Sequence, residues 1–306
     1  MLTRKLKGIT YWYRFQHGTK RTRKMKHIIC FSGGWSSGET AAKVVAKYGK
    51  ENVILVNHEC ILEDDDNTRF ENEVAKYLGL LITYVNFKDA ATKDQFDVCM
   101  EWGKGTFVMT HANSREALCT HVMKTEPFMR WLSENFQPYD TLFKTKDDCI
   151  IYYGFDKTEP DRIQRRSGIM AAQGYKTAYP SLWDVEPVLI NSGIKPPDCY
   201  KVYKHANCKG CLKAGWQHWY CVYVLEPAIY EKGEHAEDVI GYTIHKDCSL
   251  SEKRQMFDKM IACGIEPTEK IQSATWWAYV KKILKDKEGM EIDVQEEDIK
   301  PCECLI

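Results

Sequence analysis

The chain has 306 residues, 44% of them hydrophobic and 28% charged, with a formal net charge of zero. That is the balance of a soluble globular protein with one large or two modest domains. No apolar run reaches the roughly 18 residues that a transmembrane helix needs, and the start of the chain lacks the apolar stretch of a secretory signal. A cytoplasmic location with no membrane partner is therefore expected. Charge is nonetheless uneven. Residues 1–26 hold nine Lys or Arg and no Asp or Glu, with Tyr11, Trp12, Tyr13 and Phe15 interleaved. Basic residues among aromatics suit an arm that binds nucleic acid. Because the rest of the chain is not basic, a basic extension, residues 1–25, that packs its aromatics on the domain behind it is the reading favoured here.

Residues 26–49 organise the rest of the chain. Ile28 to Phe31 is a short apolar run that predicts a buried strand. Ser32, Gly33, Gly34, Ser36 and Ser37 come next, and then Ala41, Val44, Val45 and Tyr48 recur at helical spacing up to Gly49. A strand, a glycine-serine turn and a helix present free backbone N–H groups to an anion. The helix dipole adds partial positive charge at the same place. Glycine lets the backbone approach a phosphate closely, and serine hydroxyls supply further donors. The turn is neither a Walker loop nor a dinucleotide fingerprint.

Val53 to Asn57 predicts a second strand that ends in His58-Glu59-Cys60. Asp64, Asp65 and Asp66 suit the N-terminus of a helix carrying Phe70, Val74, Tyr77 and Leu78. Leu80 to Phe87 predicts a third strand. Residues 88–113 show no clear period and read as a loop-rich insertion. Ser114 is placed to cap a helix through Leu118 and Val122, and Pro127 to open another. Cys149 to Phe155 predicts a fourth strand, followed by Arg162, Arg165 and Arg166. Tyr175 to Leu182 reads as an edge segment before a short helix from about Asp184. Strands alternating with helices imply a doubly wound, mostly parallel sheet of five strands over residues 26–195. Residues 196–306 change texture and predict a helical, cysteine-containing subdomain. Within it, Ser249 to Glu252 matches a capping box.

In a doubly wound sheet, ligands bind beyond the carboxyl ends of the strands. That rule makes Ser32–Ser37, Asn57, His58, Glu59, Gly154 and Asp156 candidates for holding a nucleotide. Arg162 and Arg165 suit bidentate recognition of phosphate or sulfate. Thirteen cysteines is a high count where disulfides are disfavoured, so metal ligation or thiol chemistry gains weight. Cys208-Lys209-Gly210-Cys211 fits a metal knuckle, a redox pair, or two incidental cysteines. Further ligands would come from Cys119, Cys149, His205, His218 or Cys221. Lys213 and the aromatic run Trp216 to Tyr223 offer surfaces on which bases could stack.

Ser32-Gly33-Gly34-Trp35-Ser36-Ser37 resembles the PP-loop, S-G-G-x-x-S, of the adenine nucleotide α-hydrolase-like superfamily. ATP pyrophosphatases of that group carry Asp where this chain has Ser36, whereas phosphoadenylyl-sulfate (PAPS) reductases also lack it. Arg115-Glu116-Ala117-Leu118-Cys119 with Lys124 and Pro127 looks like the R-x-x-C-x-x-x-x-K-x-x-P segment of PAPS-reductase-like proteins. Tyr153-Gly154-Phe155-Asp156, followed by Arg162, looks like their G-x-x-x-x-E-x-x-R region, and Tyr179-Pro180-Ser181-Leu182 like their Y-P-L segment. The likeness spans about residues 26–225 and is nearest to phage and DndC-like members. It implies an adenine nucleotide, ATP or PAPS, as ligand and sulfur-related chemistry, with Arg162 and Arg115 contributing to catalysis. For a phage-encoded chain the location would be the host cytoplasm. It also implies a zinc ion or a [4Fe–4S] cluster at Cys119, Cys208 and Cys211, completed by Cys221 or a histidine; Mg2+ alongside the phosphates and a homodimer stay open. Assimilatory members use a nucleophilic cysteine in a C-terminal E-C-G-L-H tail; here Glu303-Cys304 stands without the Gly or the His, and makes Cys304 a candidate. The alternatives are an ATP-dependent enzyme that modifies tRNA or DNA, using the basic arm, and a nucleotide-binding module without turnover.

Overall fold

The computed structural model describes residues 2–6, 9–13, 25–102, 118–136, 148–245 and 248–292, the first two segments as backbone alone. Those two segments are strands β1 (Leu2–Leu6) and β2 (Ile9–Tyr13), paired antiparallel. This hairpin is absent from the elements expected of the sequence. The β-branched and aromatic run Ile9-Thr10-Tyr11-Trp12-Tyr13 is the signal that would have found it.

The main sheet has five parallel strands: β3 (Lys26–Cys30), β4 (Val53–Asn57), β5 (Ile82–Tyr84), β6 (Cys149–Tyr152) and β7 (Lys176–Ala178). The strand order is β5-β4-β3-β6-β7. The predicted parallel sheet is therefore present. β3 lies at the centre because its apolar run is buried on both faces. Ile28 and Ile29 are fully buried, and Ile28 pairs with Ile54 on one side and Ile151 on the other. A two-sided apolar strand suits only the middle of a covered parallel sheet.

Helix α1 (Trp35–Tyr48) leaves β3 through the glycine-serine turn and closes at Gly49. Its Ala41 and Val44 pack with Leu55 of β4 and with Phe70 and Val74 of α2 (Asp65–Leu78). Burying each of the Val, Leu and Phe side chains contributes roughly 1.5–3 kcal/mol. The acidic start predicted for α2 is a true cap: the Asp64 carboxylate accepts the Asp66 N–H. Beyond β5, α3 (Gln95–Trp102) falls where no period is visible in the sequence. A short α4 (Leu118–Thr120), a π-helical turn (His121–Thr125) and α5 (Glu126–Asn135) follow, with Pro127 in the first turn of α5. The chain then passes through β6, α6 (Pro160–Ala172) and β7. In place of the helix expected from Asp184 there is only a 3-10 turn, Leu189–Asn191.

The C-terminal part is helical, as expected: α7 (Trp216–Leu225), α8 (Pro227–Ile240), α9 (Leu250–Ala262) and α10 (Ser273–Glu288). The Ser249–Glu252 capping box is formed in both directions. Phe96 and Cys99 of α3 belong to the same core as Trp219, Tyr230, Phe257 and Trp276, so the apolar contact crosses the expected boundary at residue 195. The base-stacking role for Trp216–Tyr223 is corrected here. Trp216, Trp219 and Tyr220 point into this core, with Trp219 and Tyr220 fully buried, and they have no face to offer a polymer. No helix among the described residues is long and apolar enough to cross a membrane.

Candidate functional site

Chain order runs outward from β3 through β4 to β5, and then restarts on the other side of β3 with β6 and β7. The reversal falls between β3 and β6, and loops leaving there diverge and leave a crevice. A cleft of about 610 Å³ lies at that point. Ser32, Gly34, Ser36 and Ser37 line one wall, and Gly154, Phe155, Asp156, Glu159, Arg162 and Arg165 line the other. Tyr200, Lys204, His205 and Asn207 close a third side.

The turn after β3 is fixed by its own polar atoms. Ser37 Oγ donates to Gly34 O at 2.8 Å and accepts the Ser32 N–H at 3.2 Å. Gly33 has φ +70°, the left-handed region. A side chain there would begin 2.5 Å from Glu71 Oε1, so the position requires glycine twice over. Gly154, at the end of β6, fits directly against the first turn of α1, where a Cβ would meet Ser37 N at 2.7 Å. Among the described residues, the N–H groups of Gly33, Gly34 and Ser36 have no protein acceptor. They are the donors that a bound anion would use.

The expected residues divide according to strand order. Ser32, Gly34, Ser36, Ser37, Gly154, Asp156, Arg162 and Arg165 share the cleft, with Gly33 buried in the turn beneath it. Arg162 lies over the Phe155 ring at 4.4 Å and pairs with Glu159. Asn57, His58 and Glu59, also expected beside a nucleotide, do not line this cleft. β4 lies on the far side of β3 from the crevice. Asn57 and His58 border a separate pocket of about 10 Å³ with Glu63 and Lys124. Burial, with Lys124 nearby, lowers the His58 pKa to about 4, and its Nδ1 bonds Val85 O, so it is a structural histidine. Glu59 pairs with Asn86 at the surface. Arg115, Cys304 and the side chains of the basic arm lie outside the described residues.

A second cavity, of about 30 Å³, holds the cysteines. Cys119, Cys208 and Cys211, the three cysteines grouped in the sequence, line it together with Cys60, Gln95 and Lys124. The Cys60 and Cys208 sulfurs and a Glu63 carboxylate oxygen lie within 4.8 Å of one another. Glu63 also pairs with Lys124 at 3.1 Å. Cys221 does not reach this cavity; it is fully buried on α7 with Cys199 and Tyr203. His218 does not line it either, but stands next to it: its Nε2 accepts the Cys211 N–H at 3.4 Å, while its Nδ1 lies 2.8 Å from Glu269. Two thiols with a carboxylate suit zinc, and thiols of Cys119 and Cys211 line the same cavity, so the donor chemistry fits a thiolate-bound metal group. A hydrogen bond to Cys60, followed by burial, holds the Cys208 thiol well above its ordinary pKa, so a cation entering here would displace protons. Cys60 is absent from the expected ligands. Its one sequence signal is its place just past the end of β4.

No family model matches the chain, and no curated protein matches it.

Proposed function

We propose that this chain is a PP-loop enzyme that binds an adenine nucleotide in the cleft between β3 and β6 and acts in sulfur-related chemistry, in the manner of PAPS reductases. The observation that carries the reading is the pair of acceptor-free N–H groups on Gly34 and Ser36, two residues that line a cleft at the strand-order reversal. Backbone donors and the α1 dipole would hold the phosphates. Arg162 and Arg165, across the cleft, would neutralise a second anionic part of the ligand. Water exclusion would fall to Tyr200, Phe155 and the segment around Ala206, which line the same space.

Cys60, Cys208 and Glu63, with Cys119 and Cys211 beside them, would hold a zinc ion or an iron–sulfur cluster. When bound, such a group supplies either a structural lock or one-electron chemistry close to the cleft. The segment from Tyr200 to Cys211 borders both spaces.

The test is a binding panel of ATP, AMP, adenosine 5′-phosphosulfate and PAPS by calorimetry and thermal shift. A ligand at a hundred times its Kd raises stability by about 2.7 kcal/mol. At least one should bind, and saturation should protect the 32–37 turn from hydrogen exchange. Absence of binding by all four at millimolar concentration would remove the reading.

A further inference from the structure

Tyr200 enters the cleft from a 3-10 turn, Asp198–Lys201, and touches a loop 165 residues away in sequence. Its hydroxyl oxygen accepts the Trp35 N–H at 3.0 Å. The same oxygen lies 3.2 Å from the point where a Gly34 side chain would begin. Trp35 opens α1, so its N–H is one of the donors that the helix end would offer an anion. At first sight the phenol blocks that donor, but its own proton replaces it. The oxygen spends a lone pair on Trp35, and its own O–H then has no protein acceptor among the described residues. Burial raises the Tyr200 pKa, which keeps that proton in place at neutral pH.

The turn that carries Tyr200 is held rigidly. Asp198 N–H donates to the Asp66 carboxylate at 2.7 Å, and Cys199 Sγ lies 3.3 Å from Asn67 Oδ1. Arg69 donates to the carbonyls of Lys195 and Pro196. The start of α2 thus fixes the hydroxyl against the start of α1 before any ligand arrives. A donor fixed in advance costs little entropy when it is used.

We propose that Tyr200 is a phosphate-positioning residue: its hydroxyl extends the Trp35 N–H into the cleft and donates to the anionic group seated over Ser32–Ser37. The proposal rests on the nucleotide reading above. It makes the cleft selective for phosphorylated or sulfated nucleosides over the bare nucleoside, through a side chain contributed by the C-terminal part of the chain.

The experiment compares wild type with Tyr200→Phe, which keeps the ring and removes only the hydroxyl. Calorimetry with adenosine, AMP, ATP and adenosine 5′-phosphosulfate gives each Kd. The expected result is a loss of about tenfold for the anionic ligands, the scale of one hydrogen bond to a charged group. Adenosine should bind both proteins equally, and the unliganded midpoints should agree within about 2 °C. If wild type binds the anionic ligands and Tyr200→Phe binds them as tightly, the Tyr200 role is overturned while the nucleotide reading stands. An equal loss for adenosine also overturns it, because that is the mark of a general packing defect. If wild type binds none of these and no PAPS either, both fall together.

Discussion

The cleft and the cysteine cavity are neighbours built on different principles. One segment, residues 200–213, lines both, turning Tyr200, Lys204 and His205 to the cleft and Cys208, Cys211 and Lys213 to the cavity. The cleft is about 610 Å³ and the cavity about 30 Å³. In the cleft the working groups at the α1 end are backbone N–H groups, so the sequence there must supply small residues and a bend. In the cavity the groups that the proposed metal would use are sulfur and carboxylate atoms, so the sequence must supply particular side chains, and the backbone only has to bring them together. The two sites should therefore fail differently, the first when an atom is added and the second when one is removed.

The largest effect is expected at Gly154. A methyl group there would overlap Ser37 N, Ser37 Cα and Ser36 C at 2.7–2.9 Å, all of them backbone atoms that cannot swing aside. Gly154→Ala should force β6 and α1 apart at about 1–3 kcal/mol. It should also weaken nucleotide binding more than tenfold, because the donors of the turn move with α1. Thermal unfolding and calorimetry measure both. Unchanged affinity in this variant would mean that the turn does not depend on β6 for its shape.

The cavity should break by deletion. Cys60→Ser should lower the metal bound per chain, measured by elemental analysis after purification without added metal. Cys221→Ala should leave it unchanged, since Cys221 sits with Cys199 and Tyr203 away from the cavity. The reverse outcome would restore the ligand set read from sequence and discard the one in which Cys60 takes part.

These two variants also mark what the sequence could show. The turn at Ser32–Ser37 is contiguous, and its neighbours in sequence, a buried strand and an amphipathic helix, already determine its geometry. The cap at Asp64 and the capping box at Ser249 are local in the same way. The cavity is not local: Glu63 and Cys208 are 145 residues apart, and nothing along the chain pairs them. Strand order is equally hidden. Asn57 and Gly154 both follow apolar strands, and only the reversal beside β3 puts Gly154 at the cleft and Asn57 away from it. The run Trp216–Tyr223 has no polar face, a helical pattern that belongs to a core and not to an exposed platform.

An effect that appears only as pH changes is expected at Glu71, which lies under Gly33 and is almost fully buried. Burial, reinforced by the charge of Glu63, raises its pKa from 4.5 to about 7, against an opposing hydrogen bond from Asn57. The fold thus favours the neutral carboxyl. Its contribution to stability is complete below pH 4.5 and is lost as pH rises through 7, at no more than about 1.4 kcal/mol per pH unit. Wild type should lose stability between pH 5 and 8, and Glu71→Gln should lose less while matching it at pH 5. Glu237 shares the direction and the value, so the comparison must be made between proteins and not between pH values alone. Nucleotide affinity should fall over the same window in wild type, since an anion above Gly33 would face the emerging carboxylate. A flat affinity profile would separate the carboxyl from the cleft.

The smallest effect tests whether glycine matters at the cleft because of where it lies. Gly168 sits in α6, the helix that brings Arg162 and Arg165 to the cleft, yet a Cβ there would meet nothing within 4 Å. Inside a helix, alanine is favoured over glycine by about 0.5–1 kcal/mol, because the unfolded chain has less freedom to lose. Gly168→Ala should therefore raise the melting midpoint by about 1–4 °C and leave every nucleotide Kd unchanged. Set beside Gly154→Ala, the same methyl group is added to two glycines close to one cleft, with opposite signs expected for stability. If Gly168→Ala instead weakened binding while stabilising the fold, α6 would have to bend at this residue to bring its arginines onto the ligand, and the cleft would need a moving wall in addition to a rigid turn.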